Sequence, residues 1–114
     1  LGIAAIKYAD LSGNRVHDYR FDYDRMLAFE GNTAAFLLYA YVRAQSIMRK
    51  LSSSTDTQSS FVLDNPSERA LALQLCRFPD VIEKLAKDLY PNRLCDYLYQ
   101  LAEKFNAFFR KTRI

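Results

Sequence analysis

The stretch from Phe29 to Lys50, FEGNTAAFLLYAYVRAQSIMRK, constrains the fold of this chain more than any other part of it. Gly31 and Asn32 break what precedes them, and Asn32 or Thr33 can cap a helix by accepting a bond from a backbone N–H two or three residues on. From Ala34 the apolar side chains Leu37, Leu38, Tyr41 and Met48 recur at the three-and-four spacing of a buried helix face. A second stripe runs beside it, in which Phe36, Tyr39 and Arg43, with Ile47 and Lys50 beyond, align rings and positive charge along one flank. Stacking surface and cationic charge together suit a single-stranded nucleic acid, whose bases are flat and whose linkages are anionic. An aromatic stripe on a helix is also what a core face looks like, so both readings stand on pattern alone.

The rest of the chain carries further helix signals. Gly2 to Tyr8 is apolar at helical spacing, with DLSGN at Asp10 to Asn14 as the turn after it. Asp18 to Tyr23 alternates aromatic with charged residues, which predicts a short strand, and Asp22 or Asp24 can cap a short helix through Phe29. The Ser/Thr-rich run Ser52 to Ser60 reads as a mobile surface loop. Asn65 then caps a helix with Pro66 at its first position and Glu68 placed to reach back. Leu71, Ala72 and Leu75 give that helix its expected buried face. Pro79 and Pro91 each restart the chain, ahead of apolar stripes at Val81, Ile82, Leu85, Ala86 and Leu89 and at Leu94, Leu98, Leu101, Phe105 and Phe108. Short proline-marked connections between amphipathic helices predict an all-α bundle with antiparallel neighbours.

Half of the 114 residues are hydrophobic and a quarter charged, as in an ordinary globular domain with enough chain for its own core. The formal net charge of +3 permits a polyanionic partner without requiring one. Arg43, Arg49 and Lys50 end the first long helix, while Lys104, Arg110, Lys111 and Arg113 crowd the end of the last, so these cations form one patch if the two ends meet in space. Cys76 and Cys95 fall within apolar helical patterns and in no metal-ligand spacing, which makes both expected core thiols of an intracellular protein. No run reaches membrane-spanning length. His17, the single histidine, is expected in a solvated loop, with no nucleophile or second ligand beside it. No catalytic residue and no metal ligand is assigned.

Two segments carry a family resemblance. YADLSGNR at Tyr8 to Arg15, followed by DYRFDYDRMLAFEGNTAAFLLYAYVR at Asp18 to Arg43, resembles arginyl-tRNA synthetases, as does LCRFPDVIEKLAKDLYPNRLCDYLYQLAEKFNAFF at Leu75 to Phe109. The resemblance implies that residues 1–31 close the catalytic half and connect it to a helical anticodon-binding domain of class I aminoacyl-tRNA synthetases over residues 32–114, incomplete at its C-terminus. The chain, which begins at Leu1, is accordingly expected to be a piece of something longer. The resemblance further implies a cytoplasmic or organellar enzyme that joins arginine to its tRNA using ATP. A single histidine cannot supply the family's His-Ile-Gly-His motif, and MRKLS at Met48 to Ser52 lacks the second lysine of its Lys-Met-Ser-Lys-Ser loop. No cofactor is therefore expected in this fragment, and ATP only in the parent enzyme. The implied partners are the arginine-acceptor tRNA and the catalytic domain of the same protein, with no membrane. Mapped residue by residue, the implied anticodon-loop contacts are Phe36, Tyr39, Arg43, Phe109 and Arg113. Phe36 stands where the family commonly has tyrosine, which keeps a stacking face and loses a hydroxyl. The alternative role is a structural bundle whose aromatic stripe packs against another domain or protein.

Overall fold

The computed structural model describes residues 1–13, 20–51 and 62–112. In these the chain forms α1 (Gly2–Ser12), α2 (Tyr23–Met26), α3 (Ala34–Lys50), α4 (Pro66–Cys76), α5 (Phe78–Asp88) and α6 (Pro91–Lys111), with no strand among the described residues. The helix starts follow from local chemistry. Thr33 caps α3, its hydroxyl oxygen accepting from Phe36 N at 3.3 Å while the hydroxyl donates to the Ala28 carbonyl at 2.6 Å. Asn65 caps α4 by accepting from Ser67 N and Glu68 N at 2.8 and 3.2 Å, and Glu68 reaches back to the N–H of Asp64 at 3.1 Å. Each such cap stabilises its helix by roughly 1 kcal/mol. Pro79 and Pro91 stand in the first turns of α5 and α6, where a missing N–H is not needed. Gly31 takes a φ of +82° just ahead of Thr33, a conformation that a side chain would strain.

Three expectations about element boundaries change. The alternating segment does not extend as a strand: Arg20 to Asp22 have no regular structure and Tyr23 already belongs to α2, while Asp18 and Tyr19 lie outside the described residues. Asp22 explains this, because its carboxylate accepts from Asp24 N and Arg25 N and so starts a helical turn locally, whereas a strand needs a partner. That turn ends at Met26, short of the expected Phe29. The DLS of the predicted turn continues α1 through Ser12, whose hydroxyl donates back to the Ala9 carbonyl. His17 and the Ser52 to Ser60 run lie outside the described residues.

Packing centres on α6, which touches α1, α3, α4 and α5. Small residues let the backbones approach: Ala5 of α1, Ala34, Ala35 and Ala40 of α3, and Ala102 of α6 are all buried. The wider side chains on the expected α3 face stay outside, with Leu37 half-buried and Leu38, Tyr41 and Met48 exposed. Every buried position on α3 is an alanine, and its larger residues stay partly or wholly exposed. On α4 the buried side chain is Gln74, 1% exposed, and the expected Leu75 is exposed. Cys95 is buried but Cys76 lies at the exposed end of α4; both thiols are free. An apolar groove of about 360 Å³ remains between α3, α4 and α6, floored by Ala40, Ala44 and Ala102 and walled by Leu37, Leu98 and Phe105 among others.

α3 and α6, which no short connection joins, run parallel. Phe36 meets Tyr99 and Arg43 meets Asn106, the same offset of 63 residues with the same sense along both helices. α4 and α5 lie between the two helices in the chain, so no tight turn forces them antiparallel. The basic last turns of the two helices, Arg49 and Lys50 with Arg110 and Lys111, consequently lie toward one end of the bundle.

Tyr8 ties α1 to this arrangement. Its hydroxyl stands between Asn32 Oδ1 and the Cys95 carbonyl, 3.1 Å from the latter, and shares one proton between them. Burial, then the neighbouring Cys95 and Asp96, pushes its phenol above the ordinary value of 10.0. A phenol raised in the fold contributes stability that is complete below pH 10 and is lost as pH climbs beyond it. Urea midpoints are expected to hold steady to about pH 9 and then decline, by at most about 1.4 kcal/mol per pH unit for this one group and less where water reaches the hydroxyl. Tyr8→Phe should make the decline shallower; an unchanged slope would show that Tyr8 ionises as freely in the fold as out of it.

Candidate nucleic-acid interface

The second stripe of α3 lies against α6 and becomes a composite of both helices. Tyr39 and Arg43 sit one turn apart, and the guanidinium donates from Nη2 to the Tyr39 hydroxyl at 2.6 Å and from Nη1 to Asn106 Oδ1 at 3.0 Å. Its central carbon lies 4.5 Å from the Tyr39 ring centre and 4.3 Å from that of Phe109, so the cation contacts two π faces. Each such contact contributes about 0.5 to 1 kcal/mol at an exposed site. Of the five N–H donors of an arginine, two are used here. No carboxylate pairs with Arg43 among the described residues, so its charge is held in place without being neutralised.

The two aromatic residues of the stripe stand differently. Tyr39 is 54% exposed, enough to offer ring surface to a base. Phe36 is half-buried, its ring 5.5 Å from that of Tyr99 and tilted by 38°, so much of its surface is already used between helices. Phe109 is half-buried on α6, beside Phe105 at 6.4 Å. Arg113 lies outside the described residues. Tyr39, Arg43 and Phe109 thus form one cluster, with Phe36 one turn closer to the start of α3.

Sequence reading missed Asn106 and Tyr99. Asn106 fixes one edge of the Arg43 guanidinium, and Tyr99 backs Phe36. Burial and the nearby Glu103 push the Tyr99 phenol up, which keeps that hydroxyl protonated. Helical spacing places Tyr99, Asn106 and Phe109 near one side of α6, but the register of α6 against α3 comes from tertiary packing. Among the described residues no group of acidic, cysteine or histidine side chains is arranged to hold a metal. No helix among them is long and apolar enough to cross a membrane.

These features define a class: an all-helical bundle that orders an unneutralised guanidinium and aromatic rings on a two-helix face. The profile of the DALR anticodon binding domain matches residues 37–114, and the chain belongs to that family. The arginine–tRNA ligase of Chlamydia caviae is 59% identical over the whole chain, and that of Protochlamydia amoebophila 57%. The chain spans about one fifth of the length of each, 20%. Among solved structures, the Thermus thermophilus arginyl-tRNA synthetase superposes with a TM-score of 0.82 at 32% identity, covering 98% of this chain and 18% of its own. The Plasmodium falciparum arginyl-tRNA synthetase does so at 0.79 and 35%, covering 95% of this chain and 20% of its own. The all-α architecture expected from the sequence agrees with these likenesses.

Proposed function

We propose that this chain binds the anticodon loop of the arginine-acceptor tRNA as part of a cytoplasmic arginyl-tRNA synthetase, which joins arginine to that tRNA using ATP. In this reading residues 1–31 end the catalytic half and connect it to the anticodon-binding domain of residues 32–114, the other partner being the catalytic domain of the same protein. Membership of the DALR anticodon-binding domain family is the observation that carries the proposal. The Arg43 cluster supplies suitable chemistry. Tyr39 offers a stacking face, Arg43 keeps donors for a phosphate or a base edge, and the basic helix ends extend a positive field along the bundle. No catalytic role is assigned to any residue of this chain; activation of arginine with ATP falls to the remainder of the parent enzyme.

The test is a titration of the chain with the anticodon stem-loop at two or more salt concentrations. Affinity is expected to fall steeply, with a log–log slope of about −0.7 for each single-stranded phosphate contacted. Binding that ignores salt, or a stem-loop bound no better than an unrelated hairpin, would refute the proposal.

A further inference from the structure

Gln74 is the most deeply buried polar residue described, at 1% exposure. Its backbone carbonyl accepts the Tyr97 hydroxyl at 2.6 Å, and its side-chain nitrogen donates to the Tyr97 carbonyl at 3.4 Å. The remaining atom, Oε1, accepts from two cations: Arg77 Nη1 at 3.1 Å and Lys104 Nζ at 3.2 Å. Both nitrogens converge on one neutral oxygen, so they stand no more than about 6 Å apart. The ion pairs formed among the described residues are Lys87 with Glu83 and Arg93 with Asp88, and neither serves Arg77 or Lys104.

Two like charges at this separation repel, and ordering two long side chains costs entropy. The two hydrogen bonds to one neutral amide oxygen offset this cost but leave both charges unneutralised. An oxyanion would neutralise them, because charge-assisted hydrogen bonds from a guanidinium edge and an ammonium can meet on the oxygens of one group. Arg77 joins α4 to α5, so the positive start of α5 is set against the negative end of α4 and Asp80 in the first turn of α5, and the two side-chain cations are the source of the positive field. Arg77 is exposed and Lys104 half-buried, so a ligand can reach both.

We propose that Arg77 and Lys104, held on the buried amide of Gln74, form a binding site for a phosphate group. The site is separate from the Arg43 cluster. Tyr97 and Lys104 are two turns apart on the side of α6 that meets Gln74 of α4, whereas Asn106 meets Arg43 of α3 roughly half a revolution away. The proposal therefore does not depend on how the Arg43 face is used.

The experiment titrates inorganic phosphate into the 15N-labelled full chain at constant ionic strength, following the Gln74 side-chain amide and Arg77 Nε–H signals. Saturable shifts are expected. Arg77→Gln and Lys104→Gln should each weaken phosphate by about tenfold, the scale of one lost hydrogen bond to a charged group. Lys87→Gln, which alters a distant exposed pair, should leave it unchanged. Retained Tyr97 ring signals in the variants show that Gln74 remains packed. A competing titration with the anticodon stem-loop identifies the source: displacement of phosphate assigns the site to an RNA backbone, and joint occupancy assigns it to a small phosphate ligand. Shifts that never saturate, or variants Arg77→Gln and Lys104→Gln that bind phosphate as tightly as the parent chain, would overturn the proposal.

Discussion

Tyr97→Ala is expected to destabilise the bundle by about 3 to 5 kcal/mol, the range for truncating a fully buried aromatic side chain. Tyr97 is only 3% exposed, and its ring lies 5.9 Å from that of Phe78 at the start of α5. Its hydroxyl and carbonyl both bond to Gln74, so one residue links α6 to α4 and packs beneath α5. Truncation leaves a cavity where these three helices meet and removes one donor from the Gln74 carbonyl. Tyr97→Phe should cost far less, roughly 1 kcal/mol, because the ring remains and that carbonyl still accepts from Arg77 N at 3.2 Å. Urea denaturation of the two variants separates ring from hydroxyl. A Tyr97→Ala loss below about 1 kcal/mol would mean that the site collapses without a cavity, and that α4 is held to α6 by other contacts.

The same contact marks the limit of what the sequence discloses. Helix starts were legible because caps and prolines act within a few residues, as Thr33, Asn65, Pro66 and Pro91 do. Burial on α4 was not. Its pattern favoured Leu75, yet Gln74 faces α6 because Tyr97 and Lys104, far along the chain, offer an amide the donors and acceptor it needs. Pattern ranks apolar residues inward and cannot foresee a buried polar network whose partners come from another helix. Cys76 shows the complementary error, an apolar neighbour pattern at a helix end that nothing covers. At the candidate interface, Tyr39 and Arg43 were legible as an i, i+4 pair within one helix. Asn106 was not, because its role depends on the parallel register of α3 and α6. Phe36, assigned with Tyr39 on spacing, differs from it because Tyr99 lies opposite Phe36.

Loss of the Tyr39 ring or the Arg43 guanidinium is expected to weaken anticodon stem-loop binding by about 1 to 3 kcal/mol each, the scale of one base stacked on one aromatic or one specific polar contact. Stability should change little in Tyr39→Ala, since the ring is more exposed than buried. Phe36→Ala should behave in the opposite way, costing mainly stability, because its ring fills the space against Tyr99. Tyr39 and Arg43 are coupled through the 2.6 Å bond from the guanidinium to the Tyr39 hydroxyl, so the double variant should lose less affinity than the separate losses predict. Charge and placement can then be distinguished. Arg43→Ala removes a phosphate contact and should flatten the salt slope by about one unit. Asn106→Ala keeps every charge but frees one edge of the guanidinium, so it should lower affinity while leaving the salt slope as it was. Arg43→Lys keeps the charge and loses the planar fork, and should resemble Asn106→Ala more than Arg43→Ala. If Tyr39→Ala unfolds the chain while Arg43→Ala leaves RNA affinity and its salt dependence intact, this face is packing surface and the RNA lies elsewhere.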